Sequence, residues 1–166
     1  SDYEGSDDLF PYGDTVTTQS GFESRKTAMR ANPESSTYAN WNQFNDRFAN
    51  MTQSGRNAVK LNTLLGDLQK NGVEPILNLT RSENYSYSGW GGKWEQWQFA
   101  YVMAYHAAKN YDVQRFQWYN EPDQNNSTIT VPDYADRLRT TADAFRSAVE
   151  DVNRIYGKSL VADVSA

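Results

Sequence analysis

Three short apolar runs, separated by long segments of helical periodicity, constrain the fold of this chain more than any other feature. The runs lie at 73–79, 113–119 and 160–164 and are rich in residues that favour extended, packed conformations. Each interval between runs is far longer than the ~12 residues that a crossover between parallel strands requires. The alternation therefore predicts an α/β fold with parallel strands.

Apolar residues recur at spacings of three and four in four segments, each of which is predicted to be a helix. Ser54 is the predicted cap of the second helix, and Gly72 stands where glycine commonly closes a helix. Pro132 opens the fourth helix and Gly157 ends it. The predicted helices are 41–51, 54–71, 94–109 and 132–156, with a loop at 80–93 before the third.

Residues 1–40 are polar, rich in Ser, Thr, Gly and Asp, and show no sustained period. We predict a loop-rich segment with one or two short strands, for which 15–17 and 25–30 are the candidates. Residues 41–166 are predicted to form βα units. The two segments are expected to belong to a single domain.

The composition argues against several classes of protein. The formal net charge is −5 and the 16 Lys and Arg residues form no run, so a nucleic-acid partner is not expected. The chain has no cysteine and one histidine, which leaves only oxygen ligands for a metal, and no acidic spacing resembles a calcium loop. No apolar stretch approaches the ~18 residues of a membrane span, and the first residues are acidic and polar, unlike a signal peptide.

The central apolar run ends in a group of polar residues. Pro122 breaks the strand because it cannot donate to a ladder, and it biases Glu121 toward extended geometry. A carboxylate and the amide of Asn120 thus stand at the carboxyl end of a strand, where α/β folds bind ligands. Partial burial under aromatic rings would raise the pKa of Glu121 toward working pH. The alternative is that Glu121 caps the next segment or pairs with Arg115.

The tripeptide Asn120-Glu121-Pro122, closing a strand that contains Trp and Tyr, resembles the signature on the fourth barrel strand of clan A glycoside hydrolases. Residues 71–79 resemble the preceding strand of such barrels, and residues 159–166 the following one. The resemblance implies part of a (β/α)8 TIM barrel. A complete barrel takes about 250 residues, so we expect a complementary polypeptide to supply the rest.

The resemblance also implies a chemistry, with a poly- or oligosaccharide as substrate and retention of configuration. Glu121 would be the general acid/base and Asn120 would bind the sugar 2-hydroxyl. The nucleophile of this clan stands on the seventh strand, outside this chain, and neither Glu74 nor Asp163 matches its motif. The implied enzyme is active only with the rest of the barrel and needs no cofactor. The xylosidase–iduronidase and agarase–porphyranase types resemble the chain about equally.

Further substrate-binding candidates surround the motif. The 5 Trp and 11 Tyr residues are typical of a large core or of a sugar-stacking cleft, and both interpretations stay open. The candidate sugar platforms are Trp90, Trp94, Trp118 and Tyr119, with core packing as the alternative for each. Asn78 and Arg81 are candidate partners for hydroxyl groups, with surface solvation as their alternative. His106 is expected to pack between helices.

A function of a different class also fits these patterns. The chain would then be a noncatalytic carbohydrate-binding or scaffold protein with a barrel-like fold and no nucleophile. For the enzyme, the expected location is secreted or periplasmic.

Overall fold

The computed structural model describes residues 16–49, 60–79, 87–119 and 129–165. The helices are α1 (Gln19–Ala31), α2 (Trp41–Gln43), which continues as a π-helix (Phe44–Ala49), α3 (Leu61–Lys70), α4 (Gly89–Tyr111) and α5 (Val131–Tyr156). The strands are β1 (Ile76–Asn78), β2 (Arg115–Gln117) and β3 (Asp163–Ser165). Among these described helices none is long and apolar enough to cross a membrane.

Helix α1 occupies a segment for which only loops and short strands were predicted, so the strand prediction for 25–30 is wrong. Thr18 starts the helix because its hydroxyl accepts a hydrogen bond from the amide of residue 21 at 3.1 Å. Phe22 and Met29 are the residues of α1 that become buried. Two apolar positions make too sparse a stripe for the helical period to be visible in the sequence.

The predicted helix ends at Gly72 and Gly157 are confirmed. Helix α3 is followed by Gly72 at φ 66°, and the amide of Val73 donates to the carbonyl of Leu68 at 2.9 Å. Helix α5 begins one residue before Pro132 and ends at Gly157, whose φ is 65°. The predicted start of the second helix at Ser54 lies outside the described residues.

Helix α4 is the buried centre of the molecule. It contacts α1, α3 and α5, and it begins at Gly89, so the loop prediction for 80–93 is wrong over its last turn. Aromatic rings stack along the helix with centroid separations of 5.7, 4.9 and 5.9 Å. The stacked residues are Trp94, Trp97, Tyr101 and Tyr105, all of them buried.

The three strands form one parallel sheet in the order β1-β2-β3, so the predicted α/β class with parallel strands is confirmed. Leu77, Phe116 and Val164 are aligned in register. β3 lies slightly later than the predicted run, because the side chains of Gln114 and Asn153 bind the backbone of residues 161 and 160. Three strands do not by themselves make a barrel, and barrel closure stays a prediction.

The helices pack on one face of this sheet. Phe116 is fully buried and stacks on Phe145 of α5 at 4.9 Å between ring centroids. Leu77 is buried in the same core, and Val164 packs against it. The neighbouring positions point to the opposite face, where Ile76 of β1 is 57% exposed. We call this second surface the open face of the sheet.

Candidate active site at the carboxyl end of the sheet

The candidate site lies where the carboxyl ends of the strands meet the first turns of α4 and α5. Parallel strands bring their carboxyl ends to one edge, and α/β folds bind ligands there. Three of the predicted site residues, namely Arg81, Asn120 and Glu121, lie outside the described residues. The geometry of this edge is given by the described residues alone.

A row of polar residues occupies the last register position of the strands, at this edge of the sheet. Asn78, Gln117 and Ser165 are paired in register across the three strands. The amide nitrogen of Asn78 donates to the amide oxygen of Gln117 at 2.9 Å. Such a row offers donors and acceptors to a hydroxyl-rich ligand. Asn78 therefore lies at the carboxyl end of β1, and its substrate role stays a prediction.

Trp118 and Tyr119 follow Gln117 of this row in the chain, and both side chains are buried. Trp118 follows Phe116 by two residues, so it faces the helices, and it is fully buried. Its ring lies 4.9 Å from that of Tyr134 on α5 and 5.4 Å from that of Tyr119. The described geometry therefore favours core packing for Trp118, the alternative that the sequence left open.

Trp90 lies in the first turn of α4 and not in a loop. Its ring packs 5.8 Å from that of Phe22 on α1, and the ammonium group of Lys93 lies 5.2 Å from its centroid. The side chain is half-buried. Trp90 is thus only partly available as a sugar platform, and Trp94, fully inside the core, is not available.

A charged network joins the first turns of the two long helices at the same end. Asp136 of α5 accepts hydrogen bonds from the Tyr87 hydroxyl at 2.5 Å and from Lys93 at 3.1 Å. Burial alone would raise the pKa of Asp136, but these two bonds outweigh it and hold the pKa below its usual value. Burial and the bond to Asp136 raise the pKa of Tyr87, so its hydroxyl stays protonated and donates.

Arg137 adds a cation to this network, and some of its N–H groups have no acceptor among the described residues. Its guanidinium carbon lies 4.8 Å from the centroid of the Tyr87 ring. Within the described part of the chain, its buried Nε and Nη1 atoms have no hydrogen-bond partner. Gln96 binds the backbone carbonyl of Arg137 at 3.4 Å and the Thr141 hydroxyl at 2.7 Å, which fixes this turn of α5.

The acidic residues near the strands lie at the opposite end of the sheet. Arg115 of β2 pairs with Asp163 at 3.4 Å and with Glu74 at 3.9 Å. Asp163 is the first residue of β3, although the sequence placed it near the end of that strand. Neither carboxylate therefore lies at the carboxyl end of the sheet. The described residues also contain no group of three or more acidic or histidine side chains that could hold a metal.

Sequence reasoning did not single out several residues of this edge. Gln117 could have been found, because it occupies the same register position and face as Asn78. Tyr87, Lys93 and Asp136 meet only through the packing of α4 on α5, for which no short sequence signal exists. Comparisons of the chain with protein-family models, with curated proteins and with solved structures found no match.

Proposed function

We propose that this chain is part of a (β/α)8-barrel glycoside hydrolase that cleaves a poly- or oligosaccharide with retention of configuration. Glu121 is the general acid/base, and a complementary polypeptide supplies the rest of the barrel with the nucleophile. The proposal goes beyond the three-stranded parallel sheet and rests on the tripeptide Asn120-Glu121-Pro122 together with the position of that sheet.

One observation supports it above the others. Asn78 and Gln117 lie hydrogen-bonded in the last register position of two parallel strands, on the face opposite the helices. In a barrel this face is the interior, and catalytic residues come from the carboxyl ends of its strands. Glu121 follows Gln117 closely in the chain. The proposed acid thus follows Gln117, one of two hydrogen-bonded amides suited to sugar hydroxyls, by four residues in sequence.

The mechanism requires two proton transfers by one carboxyl group. Protonated Glu121 first gives its proton to the departing glycosidic oxygen while the nucleophile attacks the anomeric carbon and forms a covalent glycosyl–enzyme. Glu121, now a carboxylate, then removes a proton from water as that water displaces the nucleophile. Asn120 donates to the sugar 2-hydroxyl, a contact that strengthens in the transition state.

The test is Glu121→Gln in the complete assembly, because the amide keeps the shape but cannot exchange the proton. General acid–base assistance is worth ~10²–10⁴-fold, so hydrolysis of natural glycosides is expected to fall by about that factor. Substrates with very good leaving groups need little protonation, so formation of their glycosyl–enzyme suffers far less. Azide needs no base and is expected to restore turnover in part.

Glu74→Gln is the matched control, since Glu74 lies at the other end of the sheet. It is expected to leave the rate unchanged. Equal losses for good and poor leaving groups without azide rescue would remove Glu121 from the acid/base role. Saccharide binding by an assembly that hydrolyses no glycoside would favour the noncatalytic carbohydrate-binding protein instead.

A further inference from the structure

A cleft lies far from the proposed catalytic edge. It has a volume of about 450 Å³ over the last two turns of α4, within the ~300–1,000 Å³ range of small-molecule pockets. Its other walls come from the loop after α1, from α2 with the π-helix, and from the first turn of α3. At about 1.5 Å per residue, His106 in this cleft lies roughly 24 Å along α4 from Trp90. We call it the α4 cleft.

The side chains that line the cleft carry spare hydrogen-bond acceptors. Oε1 of Glu34 accepts hydrogen bonds from Lys109, Tyr105 and Tyr156. Its other oxygen, Oε2, has no hydrogen-bond partner within the described residues. Asn45 and Asn110 use their amide nitrogens on the backbone of α2 and α4. Their amide oxygens accept no hydrogen bond from the described residues. A ligand that donates hydrogen bonds fits these atoms.

The charges of the cleft balance one another. Glu34 and Lys109 form an ion pair at 2.6 Å. His106 is held neutral by geometry: Asn62 Oδ1 can only accept, so His106 Nε2 donates to it at 2.7 Å, and Nδ1 faces the amide nitrogen of Asn110 at 3.3 Å. With no net charge, the cleft favours a neutral hydroxyl donor over an ammonium group.

Aromatic rings supply the apolar part of the same cleft. Trp41 and Tyr105 line it with their centroids 5.8 Å apart, and Tyr111 lines its end. Trp41 is half-buried and its indole nitrogen is held by the carbonyl of Pro33 at 3.1 Å. A fixed ring of this kind suits the C–H face of a sugar. Asn45 belongs to the π-helix, a distortion that is frequent at functional sites.

We propose that the α4 cleft binds a neutral mono- or disaccharide, whose hydroxyls donate to Glu34, Asn45 and Asn110 while a sugar face rests on Trp41. This site is separate from the proposed catalytic edge and does not depend on the identity of Glu121. It would hold a saccharide in a noncatalytic manner.

The single histidine of the chain makes the test direct. The imidazole signals of His106 are recorded by NMR while glucose, galactose, mannose, xylose and their β-linked disaccharides are added to the protein. We expect at least one neutral sugar to shift these signals saturably, with a dissociation constant around the millimolar range. Glucosamine and glucuronic acid serve as charged probes and are expected to act more weakly than their neutral parent.

Matched variants separate this site from others. Asn110→Ala removes one acceptor and is expected to weaken binding by about 5-fold, the effect of one hydrogen bond. Asn42→Ala, on the exposed side of α2 next to Trp41, is expected to leave binding unchanged. Trp41→Ala is expected to abolish the saturable shift, whereas Trp90→Ala retains it.

Three outcomes would overturn the proposal. The first is that no neutral sugar of the panel shifts the His106 signals at tens of millimolar. The second is that only glucosamine does so. The third is that Asn110→Ala binds as tightly as Asn42→Ala, which settles the question even if Trp41→Ala fails to fold. Each result leaves the role of Glu121 untouched, because that role is measured by hydrolysis.

Discussion

Asp151 joins three helices from inside the core. Its carboxylate lies on α5 and accepts hydrogen bonds from the Tyr101 hydroxyl of α4 at 2.8 Å and from Arg30 of α1 at 3.0 Å. Arg154 adds a third contact at 3.1 Å. The side chain is only 3% exposed, so its charge depends on these donors for the solvation that water no longer provides.

We expect Asp151→Ala to lower the free energy of unfolding by about 3 kcal/mol, because it leaves buried donors without an acceptor. The adjacent Glu150 is a matched control, since it also binds Arg30, at 2.8 Å, but is 65% exposed. Glu150→Ala is expected to cost less than about 1 kcal/mol. Urea titrations of both variants measure the difference, and equal losses would contradict the account.

His106 gives the chain an acid sensitivity of its own. Burial, together with the charge of Lys109, lowers the pKa of His106 to about 4. In the unfolded chain the imidazole has its ordinary pKa of about 6.5. Folding therefore favours the neutral ring, so its contribution to stability is complete above about pH 6.5 and is lost as the pH falls toward 4.

We expect the His106 ring to remain neutral at pH 5 in the folded protein, and about 1 to 2 kcal/mol of stability to be lost through it between pH 6.5 and 5. The NMR titration of the single imidazole measures the first quantity, and a midpoint near 6.5 would contradict it. Denaturant titrations of His106→Gln measure the second, since the variant loses this slope. Burial would raise the pKa of Glu34, but its hydrogen bonds outweigh burial and lower the pKa. The contribution of Glu34 to stability is therefore lost only as the pH falls below about 4.5, so it does not affect the change between pH 6.5 and 5.

At the residue scale, Glu121 could be proposed from the sequence because a short signature contains it, and its role stays a prediction. The sequence could not identify the residues whose partners are remote in the chain. Asp151 meets Arg30, and Glu34 meets Lys109, only after three helices have packed. Trp118 illustrates the same limit, because a tryptophan at a strand end has the same sequence whether it faces a ligand or the core.

At the scale of elements, local chemistry determined what could be predicted. Gly72, Pro132 and Gly157 mark helix ends through backbone preferences that act at their own positions, and the structure confirms them. Helix α1 was missed because it has few apolar residues: Phe22 packs on α4, and ion pairs of Lys26 and Arg30 hold the helix on α5. Helix α4 begins earlier than predicted because its first turn contains Gly89, Gly91 and Gly92, which add no apolar period and have low helix propensity.

Two glycines, one inside a helix and one at a helix end, are expected to respond to alanine in opposite directions. Gly157→Ala places a Cβ atom at φ 65°, which is expected to destabilise the protein by about 1 kcal/mol. Gly66→Ala lies inside α3, where the new Cβ atom would stand 3.7 Å from the Tyr111 ring, an ordinary contact. It is expected to stabilise the protein by about 0.5 to 1 kcal/mol. Thermal unfolding of both variants provides the measurement.

At the scale of the molecule, the parallel sheet could be predicted because long helical crossovers permit few alternatives. The sequence does not show which residues would pack on the open face of the sheet. β1 and β3 are the outer strands of the described sheet, and their outer edges offer backbone groups for pairing. Barrel closure would cover these edges, as the proposed function requires.

We expect the isolated chain to associate with a complementary polypeptide or to aggregate through the open face. Ile76→Lys places a charge on that face and is expected to reduce association without a comparable loss of stability. Val131→Lys is the control, since Val131 is 81% exposed on α5 and does not lie on the open face. Light scattering coupled to gel filtration measures both variants, and a monodisperse monomer of the unmodified 18.9 kDa chain would contradict the expectation.

The register of the sheet also determines the order in which the chain can fold. Residues paired across β1 and β2, and across β2 and β3, lie about 40 to 50 positions apart. Helical hydrogen bonds join residues that are close in sequence, so α4 can form before β1 has paired with β2. During synthesis β1 therefore stays unpaired until Gln117 has been added and has left the ribosome. That interval is when the nascent chain is most open to misassociation, and a chaperone would act there.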